Sequence, residues 1–178
     1  MLVMIGASAS GKTEIAKRLI EKYRFKKMVT YTSRPMREGE RDGVDYHFLT
    51  KESFEAKMKI DFFLETSYYN HHYYGTAFKD AALDKVLIVD VQGANTLYKA
   101  LKDEVMIFFI QTPEPLRRVR MLARGDKAED VEKRLAIDKH YFVKENLDHI
   151  DVMIDNAYQN IEEIAEMVYL QYKKNMQI

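Results

Sequence analysis

The chain has 178 residues, no cysteine, and 28 lysines and arginines balanced by 28 acidic residues. That length supports one domain with a sizeable core. The lack of thiols excludes disulfides and thiol chemistry, and the neutral balance argues against a broad surface for nucleic acid or membrane. No stretch approaches the roughly 18 apolar residues of a membrane span. The apolar run at the N-terminus is too short for a signal peptide. A cytoplasmic protein is expected.

Residues 2–5 are apolar and read as a strand. Gly6-Ala7-Ser8-Ala9-Ser10-Gly11-Lys12-Thr13 follows, and then apolar residues at helical spacing up to Ile20. This strand, small-residue loop and helix fit G-x-x-x-x-G-K-[ST], a phosphate-binding loop. Gly6 and Gly11 allow backbone angles that let several N–H groups face one anion. The helix start adds its positive dipole end. Lys12 carries a charge to the outer phosphates, and the Thr13 hydroxyl can ligate Mg²⁺.

Residues 26–30 read as a short strand. The loop that follows holds Arg34, Arg37 and Arg41 within eight residues, interleaved with Glu38, Glu40, Asp42 and Asp45. Planar guanidinium forks suit a phosphate, but mixed charges also suit a solvated loop. Residues 51–59 are expected as a helix with Phe54 and Met58 on one face. A strand at 61–68, a turn at 69–72 and a strand at 73–76 complete an aromatic-rich insertion. His71 and His72 sit side by side on the turn and point apart, which does not suit a metal.

A short helix is expected at 79–85, followed by a buried parallel strand at 86–90 ending in Asp90. A helix from Gln92 to about Leu101, a strand at 105–110, and a helix opened by Pro113 come next. This last helix carries Arg117, Arg118, Arg120 and Arg124. Gly125-Asp126 breaks it, and a long helix is expected from Ala128 to Leu147, carrying Arg134. Arginines crowded beside a phosphate site suggest a closing lid. A strand at 151–154 and an amphipathic helix at 158–174 end the chain. Its apolar stripe is Ile161, Ile164, Ala165, Val168 and Tyr172. Alternating strands and helices imply an α/β sheet with ligands beyond the carboxyl ends of the strands, where Gly6 and Asp90 lie.

Over nearly its full length the chain resembles guanylate kinase. The most specific part is Thr-Ser-Arg-Pro-x-Arg-x-Gly-Glu-x-x-Gly-x-Asp-Tyr-x-Phe at 32–48. Phe63-Leu64-Glu65, Tyr73-Tyr74-Gly75-Thr76, Asp90-Val91-Gln92-Gly93 and Arg124-Gly125 are also similar. The resemblance implies a P-loop NTPase three-layer fold with a parallel central sheet, a small mixed-β GMP-binding insertion at 31–78 and a helical lid at 113–134. The core would then be 1–30, 79–112 and 135–178. It implies ATP as donor, Mg²⁺ as cofactor, and GMP and dGMP as acceptors in purine nucleotide metabolism, in a monomer or homodimer.

The resemblance assigns Gly6, Ala7, Ser8, Ala9, Ser10, Gly11, Lys12, Thr13 and Glu14 to ATP. Arg34, Arg37, Tyr46 and Tyr74 would hold the GMP phosphate, and Glu65 would read guanine. Thr30, Gly75, Thr76 and Asp90 complete the GMP set. Lys12, Arg34, Arg120, Arg124 and Arg134 would be catalytic, with Mg²⁺ held by Thr13 and, through water, by Asp90. There are departures. Ala7 and Ala9 replace the usual Pro and Gly, and Ile88 replaces an acid. The lid is one residue short. The usual Asn before the last helix is either Asp155 or displaced to Asn156. A protein-binding module without catalysis, or a same-fold kinase for another phosphorylated acceptor, are the competing readings; the intact loop opposes the first, and Glu65 with Arg34 and Arg37 opposes the second.

Overall fold

The computed structural model describes residues 1–77, 82–157 and 160–177. The central sheet has five strands in the order β2-β7-β1-β8-β9, all parallel. They are β1 (Leu2–Ile5), β2 (Lys26–Lys27), β7 (Lys85–Ile88), β8 (Met106–Gln111) and β9 (Val152–Asp155). Buried parallel strands show continuous apolar runs because both faces are covered. On one face, Leu2, Met4, Phe108 and Ile110 meet Ile15 and Leu19 of α1 (Lys12–Tyr23) and Ile164, Val168 and Tyr172 of α6 (Ile161–Met176). On the other, Val3, Ile5, Ile107 and Phe109 meet Val91, Ala94 and Leu97 of α3 (Val91–Leu101). These are the three layers the sequence implies.

A second sheet, in the order β4-β3-β6-β5, is inserted between β2 and β7. It comprises β3 (Tyr31–Thr32), β4 (His47–Phe48), β5 (Phe63–Tyr69) and β6 (His72–Ala77). β3 runs parallel to β4 and antiparallel to β6, so this sheet is mixed. Asn70 and His71, at φ 47° and 65°, form the two-residue turn between β5 and β6. This sheet has its own core of Tyr31, Phe54, Phe63 and Ala77, closed by α2 (Lys51–Met58). Phe54 is fully buried, while Met58 on the same helix is exposed.

The rings of Phe54 and Phe63 stack at 4.5 Å directly over Gly75. A Cβ there would lie 2.8 Å from Phe63 and 2.9 Å from Phe54. Gly75→Ala is therefore expected to cost about 1–3 kcal/mol by overpacking. A thermal melt checks this, and an unchanged melting temperature would reject the packing role.

Several boundaries differ from expectation. The strand expected at 26–30 ends at Lys27, because the chain leaves the exposed sheet edge there to enter the insertion. The strand expected to reach Asp90 ends at Ile88, and Asp90 instead caps α3, its Oδ1 accepting from the Gly93 N–H at 2.8 Å. Of the helix expected at 79–85, residues 79–81 lie outside the described residues, and β7 already begins at Lys85. The terminal helix starts at Ile161, capped by the Asn160 side chain; residues 158–159 lie outside the described residues.

The remaining two helices are α4 (Glu114–Ala123) and α5 (Ala128–Tyr141). α5 stops six residues short of the expected Leu147. Its last carbonyls, on His140 and Tyr141, accept from the Asn146 side chain at 2.8 and 3.1 Å, a local bond that replaces another helical turn. Met121, Val131 and Leu135 make a small core between α4 and α5. No helix among the described residues is long and apolar enough to cross a membrane.

Candidate active site

The loop between β1 and α1 holds its shape through backbone angles that few residues adopt. Gly6 has φ 151° and Gly11 φ 98°. A Cβ on Gly6 would lie 2.3 Å from the Ile110 carbonyl, and one on Gly11 would lie 2.2 Å from the Asn156 side chain. Ala9 takes φ 58° with a Cβ present. Its methyl packs against the Met121, Val131 and Leu135 cluster, which offsets the strain of that conformation. Asn156 is buried and donates to the Ser10 carbonyl at 2.8 Å. It is thus Asn156, not the exposed Asp155, that lies against the loop.

Lys12 folds back on the loop. Its Nζ donates to the carbonyls of Gly6 and Ala7 at 2.6 and 2.8 Å and to Ser10 Oγ at 3.1 Å. Burial lowers its pKa to about 8. The loop's Gly6, Ser8 and Lys12 line a cavity of about 150 Å³ together with Thr30, Tyr46, Glu65, Tyr74, Gly75 and Asp90 of the facing elements. A cavity of this size admits a single aromatic ring system.

Glu65 Oε2 is buried and has no hydrogen-bond partner. Burial lifts the Glu65 carboxyl to about 7, with the Thr76 hydroxyl opposing the rise and the charge of Asp90 adding to it. Asp90 Oδ2 is likewise buried and unpartnered, and burial raises the Asp90 pKa. Thr76, opposite Glu65 in the β5–β6 ladder, is fully buried, with its hydroxyl beside the Glu65 carboxylate. It does not reach the cavity wall. Two carboxylates with free oxygens, in a half-open cavity, can take N–H donors or a cation.

A second cavity, of about 340 Å³, brings together Arg34, Arg37, Tyr46 and Tyr74 with Thr13 and Lys27. Arg34 is buried and held by Glu40, whose two oxygens lie 2.7 and 2.9 Å from Nη2. The same carboxylate accepts the Arg37 N–H at 2.8 Å. Partial desolvation and the nearby charges of Arg34 and Arg134 lower the Arg37 pKa, so cations converge here. Burial, with Tyr74 beside it, pushes the Tyr46 phenol to about 12, which keeps it a hydrogen-bond donor.

Arg120 and Arg124 line a third cleft with Ala9, Ser10, Gly11, Lys12, Thr13 and Glu14. Arg120 donates to the carbonyls of Ala9 and Asn156, both at 3.3 Å. Arg124 and Arg134 instead share Asp126, at 2.6 and 3.2 Å. These pairs hold the Asp126 carboxyl below its usual range despite partial burial. Arg120 and Arg124 therefore lie beside the loop, but Arg124 and Arg134 are turned toward a carboxylate.

Sequence reasoning missed Glu40, Arg117 and Asp138. Glu40 was legible only as one of several loop charges. Asp138 had a clearer signal: with Val131 and Leu135 it falls on the buried stripe of α5. Arg117 falls likewise on the buried stripe of α4 with Met121.

A glycine-rich loop opening the first helix of a parallel sheet, facing an inserted mixed sheet across a shared cavity, defines a P-loop nucleotide-binding protein. The family model "Guanylate kinase" matches residues 1–170. A guanylate kinase of Latilactobacillus sakei subsp. sakei is 36% identical, with 98% of this chain and 95% of that protein covered. One of Neisseria meningitidis serogroup A is 33% identical, covering 94% and 86%. The crystal structure of guanylate kinase from Anaplasma phagocytophilum has a TM-score of 0.71 at 23% identity, covering 100% and 86%, and it supports the fold. The chain belongs to the guanylate kinase family.

Proposed function

We propose that this protein transfers the terminal phosphate of ATP to GMP, giving ADP and GDP. The observation that carries the reading is the cavity in which Gly6, Ser8 and Lys12 face Glu65, Tyr74 and Asp90. A phosphate loop and an unpartnered buried carboxylate meet there in one space. Guanine offers the N1–H and 2-amino donors that Glu65 lacks. Adenine would leave the carboxylate unpaired, and an unpaired buried acceptor opposes binding.

The transfer is in line and direct. An oxygen of the GMP phosphate attacks the γ-phosphorus, and the bond to the β–γ bridging oxygen breaks as ADP leaves. The protein supplies position and charge rather than a nucleophile. Arg34, Arg37, Tyr46 and Tyr74 hold the acceptor phosphate, with Glu40 fixing the Arg34 fork. Lys12 and the loop N–H groups neutralise the donor phosphates. Arg120, Arg124 and Arg134 bring lid charge toward the transferred group, the last two by exchanging Asp126 for phosphate. The closed lid excludes water that would otherwise hydrolyse ATP.

Mg²⁺ would be held by the Thr13 hydroxyl and, through water, by Asp90, whose buried Oδ2 makes no hydrogen bond. When bound, it supplies charge to the β and γ oxygens. None of the contacts named needs the ribose 2′-hydroxyl, so dGMP is a second expected acceptor. The 178-residue chain without cysteine suits work on free nucleotides in the cytoplasm.

Coupled ADP release, with GMP, AMP, CMP and UMP compared side by side, tests the reading. GMP should lead by orders of magnitude. Equal turnover of AMP would reject the role of Glu65, and no turnover with any acceptor would reject the kinase.

A further inference from the structure

Asp138 of α5 is 1% exposed and takes three donors from three separate parts of the fold. Its Oδ2 accepts the Ser8 N–H of the phosphate loop at 2.7 Å and Arg117 Nη1 of α4 at 3.1 Å. Its Oδ1 accepts the Tyr69 hydroxyl, at the end of β5, at 2.5 Å. Arg117 is itself buried, and its Nε donates to the Thr112 carbonyl at 3.2 Å. An ion pair joining α4 to α5 would need only Arg117 and Asp138. The other two donors come from outside α4 and α5, one from each side of the cavity.

We propose that Asp138 is a positioning residue that fastens the lid helices to the phosphate loop and to the mixed sheet at once, and so couples the two ligand sites. Neighbouring contacts favour the same arrangement. Tyr69 stacks on Tyr141 at 5.2 Å and meets Phe142 edge-on at 5.8 Å. Tyr69 and Phe142 both line the cavity. The Ala9 methyl packs on the lid cluster, and Arg120 donates to the Ala9 carbonyl. Residues 8, 69, 117 and 138 meet only when the lid lies over the loop and the end of β5 lies against α5.

The carboxylate therefore rewards closure only when all three parts are in place. A ligand that draws the mixed sheet toward the loop helps seat the lid. The seated lid in turn fixes the Ser8 peptide beside Lys12. Coupling of this kind is reciprocal, and 5- to 150-fold effects are typical. The coupling half of the proposal rests on the kinase reading above; the latch does not.

Two measurements on the full chain test it. The first is amide hydrogen exchange without nucleotide, on wild type and Tyr69→Phe. The variant removes one hydroxyl and keeps the Arg117–Asp138 pair, so it should fold even if Asp138→Asn does not. Exchange at Ser8 and across residues 128–141 should quicken about tenfold; unchanged exchange overturns the latch. The second is calorimetry of a non-hydrolysable ATP analogue with and without GMP. GMP should tighten the analogue fivefold or more in wild type and twofold or less in Tyr69→Phe, at similar melting temperatures. A lower melting temperature with coupling intact would mark a merely structural contact and overturn the coupling. Wild type that fails to bind GMP sinks the kinase reading, and the exchange measurement then decides the latch alone.

Discussion

Lys12→Met is expected to lower kcat for GMP phosphorylation by roughly 10²–10³, the usual cost of losing one preorganised charge at a reacting centre. Methionine keeps the length and apolar stem and removes only the ammonium. That ammonium lies within hydrogen-bond distance of Gly6, Ala7 and Ser10, so it is presented from the loop itself. Negative charge builds up on the donor oxygens as the bond breaks, so kcat should suffer more than the KM for ATP.

The pH profile adds a second readout. Burial, with Arg117 and Arg124 adding to it and Asp138 opposing it, leaves Lys12 at about 8. Above that pH the free protein holds a neutral amine, and binding an anion must restore the proton. Affinity for ATP should therefore weaken as pH rises past about 8 in wild type, and Lys12→Met should lack that limb. Steady-state kinetics from pH 6 to 9.5 measure both. A variant within threefold of wild-type kcat would show that the loop charge does no chemistry.

Glu65→Gln is expected to reduce kcat/KM for GMP by about 100-fold, and to shrink the lead over AMP. Charged hydrogen bonds of this kind contribute about 1.5–3 kcal/mol each. The same substitution should stabilise the nucleotide-free protein at alkaline pH. The folded Glu65 titrates near 7, against an ordinary value of 4.5. Between those values the folded state binds more protons than the unfolded state, so stability falls as pH rises. The cost is absent below about pH 4.5, grows through that window and is complete above about 7. Its size is about 3 kcal/mol.

Melts at pH 5 and pH 8 should thus find the variant near parity at the lower pH and more stable at the higher. Some pH dependence should persist, because the Asp90 pKa is raised as well. The KM for GMP should rise in wild type as pH falls below about 7, since a protonated carboxyl is a poorer acceptor. If Glu65→Gln melts below wild type at pH 8, the strain assigned to this carboxylate is not there.

The parallel sheet and its flanking helices were legible because continuous apolar runs and helical spacing are local signals. Residues 2–5 and 105–110 needed nothing beyond their own composition. The loop was legible for the same reason: its two glycines, lysine and threonine sit within eight consecutive residues. The early ends of the strand after Lys27 and of α5 after Tyr141 were not. One is set by an insertion leaving the sheet edge, and the other by the Asn146 side chain, five residues beyond the helix end. Asp138 joins residues up to 130 positions apart, and such partners leave no mark in a window of sequence beyond one acid on an apolar stripe. Glu40 shows the opposite case: its place beside Arg34 is local, but mixed loop charges hide which pair is made.

Ala9 sets two demands against each other. Its left-handed backbone would be easier for glycine, while its methyl is held among Met121, Val131 and Leu135. An engineer who restored glycine to relax the chain would also remove a piece of the adhesive between the nucleotide cradle and its cover. Backbone relief and packing against the neighbouring helices are thus tied to one carbon atom, and neither can be tuned here without moving the other.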